Sequence, residues 1–344
     1  MICQGQPRVH FAHLPTPLEK APLLSEALGI NLLVKREDFS GLCVGGNKTR
    51  LLEFALGSLR DKGVDTLIAH AAAQSNKLRD IAAAAARCGM EAVLMIPAQQ
   101  DPEAVPQGNR LLFDILGADV REIEPGLTAE AILAVQEEVR GELERAGRRA
   151  AILDRHLDYG VDATIAYVEA AEELDSQLRA IGETPDAVFI AAGAGMTVAG
   201  LALGLKHLGV PGRVVGVSSA SAAAPLLMAI EWQAERAAKR LGLSTRLARD
   251  DLTIVDDYIA AGYGQLTPRG AEAVRHFARL HGMTVDPVYN ANVALAICDQ
   301  AASGAIQRGA TVVYVNTGGG PAIFTHGADL AGRGEKGALA RRTA

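Results

Sequence analysis

Residues 187–208 read AVFIAAGAGMTVAGLALGLKHL. Six apolar residues lead into a glycine turn, Gly193-Ala194-Gly195, and then into small and leucine residues of helical period that stop at Gly209, which spells strand, tight turn, helix. A run this short and this apolar, closed by a turn, is the mark of a strand buried in a parallel sheet. Outward from it the same unit recurs. Strand-like runs at Asn31–Lys35, Thr66–His70, Glu91–Ile96, Arg213–Ser218 and Thr311–Asn316 alternate with helical stretches over 49–62, 75–89, 108–116, 127–146, 162–181, 198–208, 222–241, 268–282 and 292–304. That alternation predicts an α/β protein built from βαβ units. All the strands except Asn31–Lys35 are expected to be buried.

The chain has 344 residues, 49% of them apolar and 22% charged, which suits a folded protein of two domains or one large one. Thirty-six glycines against seven Phe, six Tyr and one Trp point to close backbone approaches rather than an aromatic-rich core. The 34 basic and 40 acidic side chains give a net charge of −6, and no basic stripe with interleaved aromatics appears, so nucleic acid is not an expected partner. No uninterrupted apolar run reaches the roughly 18 residues of a bilayer span, and the first residues lack the pattern of a secretory leader. A cytoplasmic protein without a membrane partner is the expectation. Cys3, Cys43, Cys88 and Cys298 are scattered and the histidines form no HxH or HxxxH group, so neither a disulfide framework nor a metal site is signalled. Cys43 stands apart only by lying five residues before Lys48.

Four segments put polar or glycine-rich sequence at a strand-to-helix junction, where open α/β sheets bind ligands. In Gly45-Gly46-Asn47-Lys48-Thr49-Arg50 the glycines allow close approach, and the lysine opens a helix whose local field lowers an ammonium pKa. Such a lysine is compatible with a Schiff-base or nucleophilic role and equally with a solvated first-turn lysine; the GxxxxGK[ST] phosphate loop is not matched. In Gln74-Ser75-Asn76, Ser75 is a helix cap, and a helix start is also a carboxylate site. The turn Gly193-Ala194-Gly195-Met196-Thr197 can cradle a phosphate or simply serve tight packing. Asn316-Thr317-Gly318-Gly319-Gly320, with Asp286-Pro287-Val288-Tyr289-Asn290 and Ala261-Gly262-Tyr263-Gly264 upstream, could complete a pocket, with Tyr263 and Tyr289 on its rim.

In their collinear order, KREDFSGLCVGGNKTR, AAAQSNKLRDIAAAAARCGM, GNRLLFDILGA, AAGAGMTVAGLALG, AAGYGQLTPRGAEAV, GMTVDPVYNA and NTGGGPAIF resemble the pyridoxal-phosphate enzymes of the tryptophan-synthase-β fold type, fold type II. Within these the chain is similar to the subgroup of aminocyclopropanecarboxylate deaminase, D-cysteine desulfhydrase and L-cysteate sulfo-lyase. The likeness runs from about Arg8 to Phe324.

The resemblance implies two open, twisted, mainly parallel sheets flanked by helices. Residues 1–50 and 160–330 would form the large coenzyme-binding domain, 51–159 a small inserted α/β domain that closes over the substrate, and 331–344 a tail. It implies that Lys48 holds pyridoxal 5'-phosphate as a Schiff base and later moves a proton, with Asn47 beside it. Asn76 would meet the coenzyme's 3' oxygen. Gly193, Ala194, Gly195, Met196 and Thr197 would hold the phosphate, and Asn290, Thr317 and Gly318 would complete the coenzyme site. Ser75, with Gln74, Asn76 and Tyr159, would bind the substrate, and Tyr263 and Tyr289 would face it as catalytic tyrosines. A small amino acid is the implied partner, and a homodimer the implied assembly.

Several positions depart from the subgroup. Asn290 replaces a glutamate next to the pyridine nitrogen, Lys77 a histidine, Met196 a small hydroxyl residue, Leu51 a lysine, and Ala71, Ala72 and Ala73 glycines. Leu157 to Asp162 replaces a glycine- and serine-rich stretch. An amide at 290 hydrogen-bonds the ring nitrogen without holding it protonated, which weakens the electron sink. β-Elimination from an amino acid such as D-cysteine or L-cysteate, giving pyruvate and ammonia, suits that better than opening a cyclopropane. β-Replacement, aminocyclopropanecarboxylate deamination and coenzyme binding without turnover are the alternatives.

Overall fold

The structure, a computed structural model, describes residues 2–98, 105–259 and 262–331. The expected tail lies, beyond Ala331, outside the described residues, as does Ala261 of the tyrosine motif.

The first elements are β1 (Leu18–Lys20), α1 (Pro22–Leu28), β2 (Asn31–Arg36) and α2 (Lys48–Asp61). A run of alternating units follows: β3 (Thr66–His70), α3 (Asn76–Cys88), β4 (Glu91–Pro97), α4 (Gly108–Ile115), β5 (Asp119–Ile123), α5 (Ala129–Arg145) and β6 (Ala150–Ile152). The long α6 (Asp158–Ile181) leads to β7 (Ala187–Ala192), α7 (Met196–Leu208), β8 (Arg213–Ser218), α8 (Ala223–Leu241) and β9 (Leu252–Val255). The chain returns through α9 (Pro268–His281), α10 (Asn290–Ser303), β10 (Thr311–Asn316) and α11 (Gly327–Leu330).

Two sheets result. The larger has the order β1-β2-β10-β7-β8-β9, parallel except for β1, and the smaller is the parallel β5-β4-β3-β6. All six strand-like runs of the sequence are strands. The four strands that its apolar runs do not show, β1, β5, β6 and β9, are the sheet edges among the described residues; β1, β6 and β9 have only three or four residues, and β1 and β5 carry charged side chains. Asn31–Lys35 is a correction: β2 lies between β1 and β10 and is buried along its middle, Lys35 included. Four helices start earlier than their periodicity suggests, α2 at Lys48 and α7 at Met196 among them. α6 begins at Asp158, so Tyr159 sits in a helical turn, and α10 begins at Asn290.

One apolar core runs between the sheets, joining Leu33, Val188 and Val313 of the larger to Leu67, Ala69 and Leu94 of the smaller through α2, α3, α6 and α7. A second packs α1, α9 and α10 under the other face of the large sheet, and a third packs Val139 of α5 against Ile68, Val93 and Met95. The small residues of α7 are explained here. A Cβ at Gly200 would meet the Thr164 carbonyl oxygen at 2.1 Å, and one at Gly204 would meet the Ala171 Cβ at 2.5 Å. The glycines inside α7 therefore serve contact with α6, whereas those at its start shape the turn.

Candidate active site

Three strand-to-helix junctions converge at the carboxyl ends of β3, β7 and β10, around a cavity of about 320 Å³. That size is within the usual range for small-molecule sites. Asn47 and Lys48 form one part of its wall. Gly46 precedes them with φ +127, a conformation that favours glycine, and the Asn47 N–H donates to the Thr317 carbonyl at 3.0 Å. The loop before α2 is thereby tied to the loop after β10. Gly318 allows this contact, since a Cβ there would lie 2.6 Å from the Gly46 Cα.

The Lys48 ammonium donates to Asn47 Oδ1 at 2.9 Å, and Asn47 Nδ2 donates to Thr197 Oγ1 at 3.0 Å. One asparagine thus links the lysine to the start of α7. Burial lowers the Lys48 pKa to about 8, with the Asp80 carboxylate pulling upward and Arg79 and Lys77 pushing down. The sequence attributes the lowering to the helix field, but loss of solvation is the largest cause.

Opposite lies the turn Gly193 to Thr197. Gly195 is the N-cap of α7 with φ +90 and supplies no capping side chain. The first N–H groups of a helix lack intrahelical acceptors, so here they open onto the cavity together with the positive end of a 13-residue helix. Because the Thr197 oxygen accepts from Asn47, its hydroxyl proton remains available to an anion. Nearby, Ser75 caps α3 by accepting from the Leu78 N–H at 3.3 Å while lining the same cavity. The Tyr263 and Tyr289 hydroxyls are 2.8 Å apart, their rings edge to face. Burial raises both phenol pKa values, so at neutral pH both are uncharged donors rather than bases.

The cavity therefore gathers Asn47, Lys48, Ser75, the whole 193–197 turn, Tyr263, Tyr289 and Thr317. Five other candidates fall outside its lining. Asn290 is fully buried, its Nδ2 donating to Asp286 Oδ2, Thr317 Oγ1 and the Gly318 carbonyl, and its Oδ1 accepting from Tyr314 and Thr317. These bonds fix the loop after β10, and Thr317 is the residue of that network that reaches the cavity. Asn76 Oδ1 accepts from Arg79 and Asn109. Gln74 is engaged with the Gln107 carbonyl and the Asn109 N–H, which anchors α4. Gly318 serves the loop contact described above. Tyr159 lines a separate cavity between α2, β6 and α6, with its hydroxyl buried and without a hydrogen-bond partner among the described residues. Leu51 points into the core and Cys43 is exposed in left-handed backbone at φ +56. The sequence reading missed Ala191 and Val198 as lining residues, and it treated Ala71, Ala72 and Lys77, which also line the cavity, only as departures.

A desolvated lysine facing an uncapped helix start, with no carboxylate among the described lining residues, fits a coenzyme that carries both a phosphate and a carbonyl. Fold and site together define an α/β enzyme dependent on such a coenzyme. The chain belongs to the family of pyridoxal-phosphate dependent enzymes, whose pattern matches residues 9–318. Its coenzyme is pyridoxal 5'-phosphate and its architecture is fold type II. Among solved structures it is similar to an ACC deaminase homologue, at 30% identity and TM-score 0.85, over 96% of this chain and 97% of that one. A threonine deaminase from T.th. matches at 22% identity and TM-score 0.62, covering 88% of this chain and 92% of that one. A hydrogen sulfide-producing enzyme from Fusobacterium nucleatum matches at 19% identity and TM-score 0.63, covering 89% of this chain and 96% of that one. The last two likenesses show the fold alone.

Proposed function

We propose that the protein is a lyase that removes a β-substituent from a small amino acid, with Lys48 as the residue that binds the coenzyme and moves the substrate's α-proton. The observation that carries this is the placement of the desolvated Lys48 amine and the uncapped start of α7 in one cavity, bridged by Asn47. The coenzyme, when bound, withdraws electrons from the substrate's α-carbon. Backbone N–H groups of 195–197 and the Thr197 hydroxyl would hold its phosphate, and Thr317 would complete its site. Ser75 and the start of α3 take the substrate carboxylate, and Lys48 accepts the α-proton. The Cβ–leaving-group bond breaks with the pair going to the leaving group, and water converts the resulting dehydroamino acid to pyruvate and ammonium. Tyr263 and Tyr289 close the outer side as neutral hydrogen-bond donors.

The lining supports β-elimination over ring opening, because no described carboxylate reaches the cavity to hold the pyridine nitrogen protonated. A second reading, deamination of aminocyclopropanecarboxylate, has the 30%-identical ACC deaminase homologue and the paired tyrosines in its favour. We further propose the two domains expected from the sequence: Ser75 stands on the side of the small sheet and the phosphate turn on that of the large one, so movement of the former would open and close the cleft.

A panel of D- and L-cysteine, D- and L-cysteate, β-chloroalanine and aminocyclopropanecarboxylate, followed for keto acid, tests this. Pyruvate from the β-substituted alanines, abolished in Lys48→Ala along with the visible absorbance of bound coenzyme, is the expected result. 2-Oxobutyrate from the cyclopropane alone would establish the second reading, and a coenzyme-loaded protein inert on the whole panel would overturn both.

A further inference from the structure

The cavity contains a second lysine that the proposed chemistry does not use. Lys77 lies in the first turn of α3, two residues after the Ser75 cap, and lines the same space as Lys48. A cation at that position opposes the helix dipole. It is also desolvated, and it forms no ion pair with any described residue. Its ammonium donates to the His70 carbonyl at 2.9 Å, a bond to the last residue of β3 that fixes its place and is the one it makes among the described residues, out of three N–H donors. Of the charged groups around it, Asp154 favours its ammonium form and Arg155 opposes it, and Lys48 is a like charge in the same cavity. Burial lowers its pKa to about 8.

A half-buried cation set against a helix start without a carboxylate partner is a local conflict that a bound anion would resolve. Two anions are already accommodated: the coenzyme phosphate by the start of α7, and the substrate carboxylate by Ser75 and the start of α3. Once Lys48 is joined to the coenzyme, Lys77 is the free ammonium among the described lining residues. We infer that Lys77 is a specificity residue that selects amino acids whose side chain ends in an oxyanion, such as a sulfonate, carboxylate or phosphate. The inference rests on the proposed lyase reading for the number of anions in the site, and it narrows that reading to a substrate class.

The test uses the coenzyme-loaded wild type, Lys77→Gln and Lys77→Arg, with both enantiomers of cysteate as the anionic substrate and of β-chloroalanine as the neutral one. The readouts are kcat/KM for keto acid formation and, independently, the dissociation constant from perturbation of the coenzyme's visible absorbance. The expected result is a fall of about 10- to 100-fold in the anionic-to-neutral ratio for Lys77→Gln, the size of a lost hydrogen-bonded charge contact. Lys77→Arg should largely restore it, and an unchanged coenzyme spectrum confirms that each variant is folded. Equal losses on both substrates would place Lys77 on the common carboxylate, and an unchanged ratio would make it a strut to His70; either overturns the inference. If no substrate yields keto acid the lyase reading fails, while the ratio of dissociation constants still decides the role of Lys77.

Discussion

The amine of Lys48 is held near the point of losing its proton by burial rather than by a neighbouring base. At neutral pH about a tenth of such amines are uncharged, against well under a thousandth for an ordinary lysine. The rate at which coenzyme-free protein takes up pyridoxal phosphate should accordingly rise about tenfold per pH unit up to about 8 and level off above it. Stopped-flow absorbance over pH 6–10 checks this, and a flat profile would contradict a desolvated amine. GGNK made Lys48 legible in the sequence because a glycine turn before a helix-opening lysine is a local feature. Asn290 was legible as a residue near the site but not in its hydrogen bonds, which keep it out of the cavity lining. Whether an amide faces a ligand or is saturated by Asp286, Thr317 and Gly318 depends on partners up to 28 residues away.

Helix starts and helix contacts set the geometry in which these residues act. Removing the Ser75 hydroxyl deletes the cap of α3 and should cost about 1 kcal/mol of stability. The same Ser75→Ala change should lower kcat/KM by more than that stability loss explains if the hydroxyl also meets the substrate, which calorimetry and kinetics on the same protein would separate. Gly200→Ala tests the seam between α6 and α7. The added methyl would fall 2.1 Å from a carbonyl oxygen, so the helices must part, with an expected loss of about 1–3 kcal/mol read as a lower Tm. The same change on an exposed helix face would stabilise instead, since alanine has the higher helix propensity. Helices and inner strands were readable because their period is written in apolar residues. The edge strands were not: DVREI of β5 and the three-residue β1 and β6 acquire strand character from a neighbour's hydrogen bonds.

At the scale of the whole molecule, a buried ion network joins segments distant in sequence behind the Lys48 helix. Arg50 of α2 donates to Glu37 at 2.7 and 2.9 Å and to Glu173 of α6 at 2.7 and 3.0 Å, Lys35 pairs with Glu173, and the Tyr167 hydroxyl donates to Glu37 at 2.9 Å. Burial alone would raise the Glu37 carboxyl, but Arg50 overrides it and holds the pKa at about 2. A carboxyl depressed on folding stabilises the native state above its ordinary value of 4.5 and loses that contribution as pH falls towards 2. Arg50→Met leaves Glu37 and Glu173 buried without their guanidinium and should cost about 3–5 kcal/mol. Acid titration followed by circular dichroism should then show the variant unfolding at higher pH than the wild type; coincident acid transitions would mean the network carries no such stability. The sequence by itself determined the α/β class, the inner strands and the junction motifs, because hydrophobic period, glycine turns and caps act over a few residues. Only the tertiary structure decided which of the polar residues face the cavity, that Tyr159 belongs to another, and that Lys77 stands beside Lys48 without a carboxylate partner among the described residues. Solvation, ion pairing and hydrogen-bond saturation are set by groups that folding brings together from far along the chain.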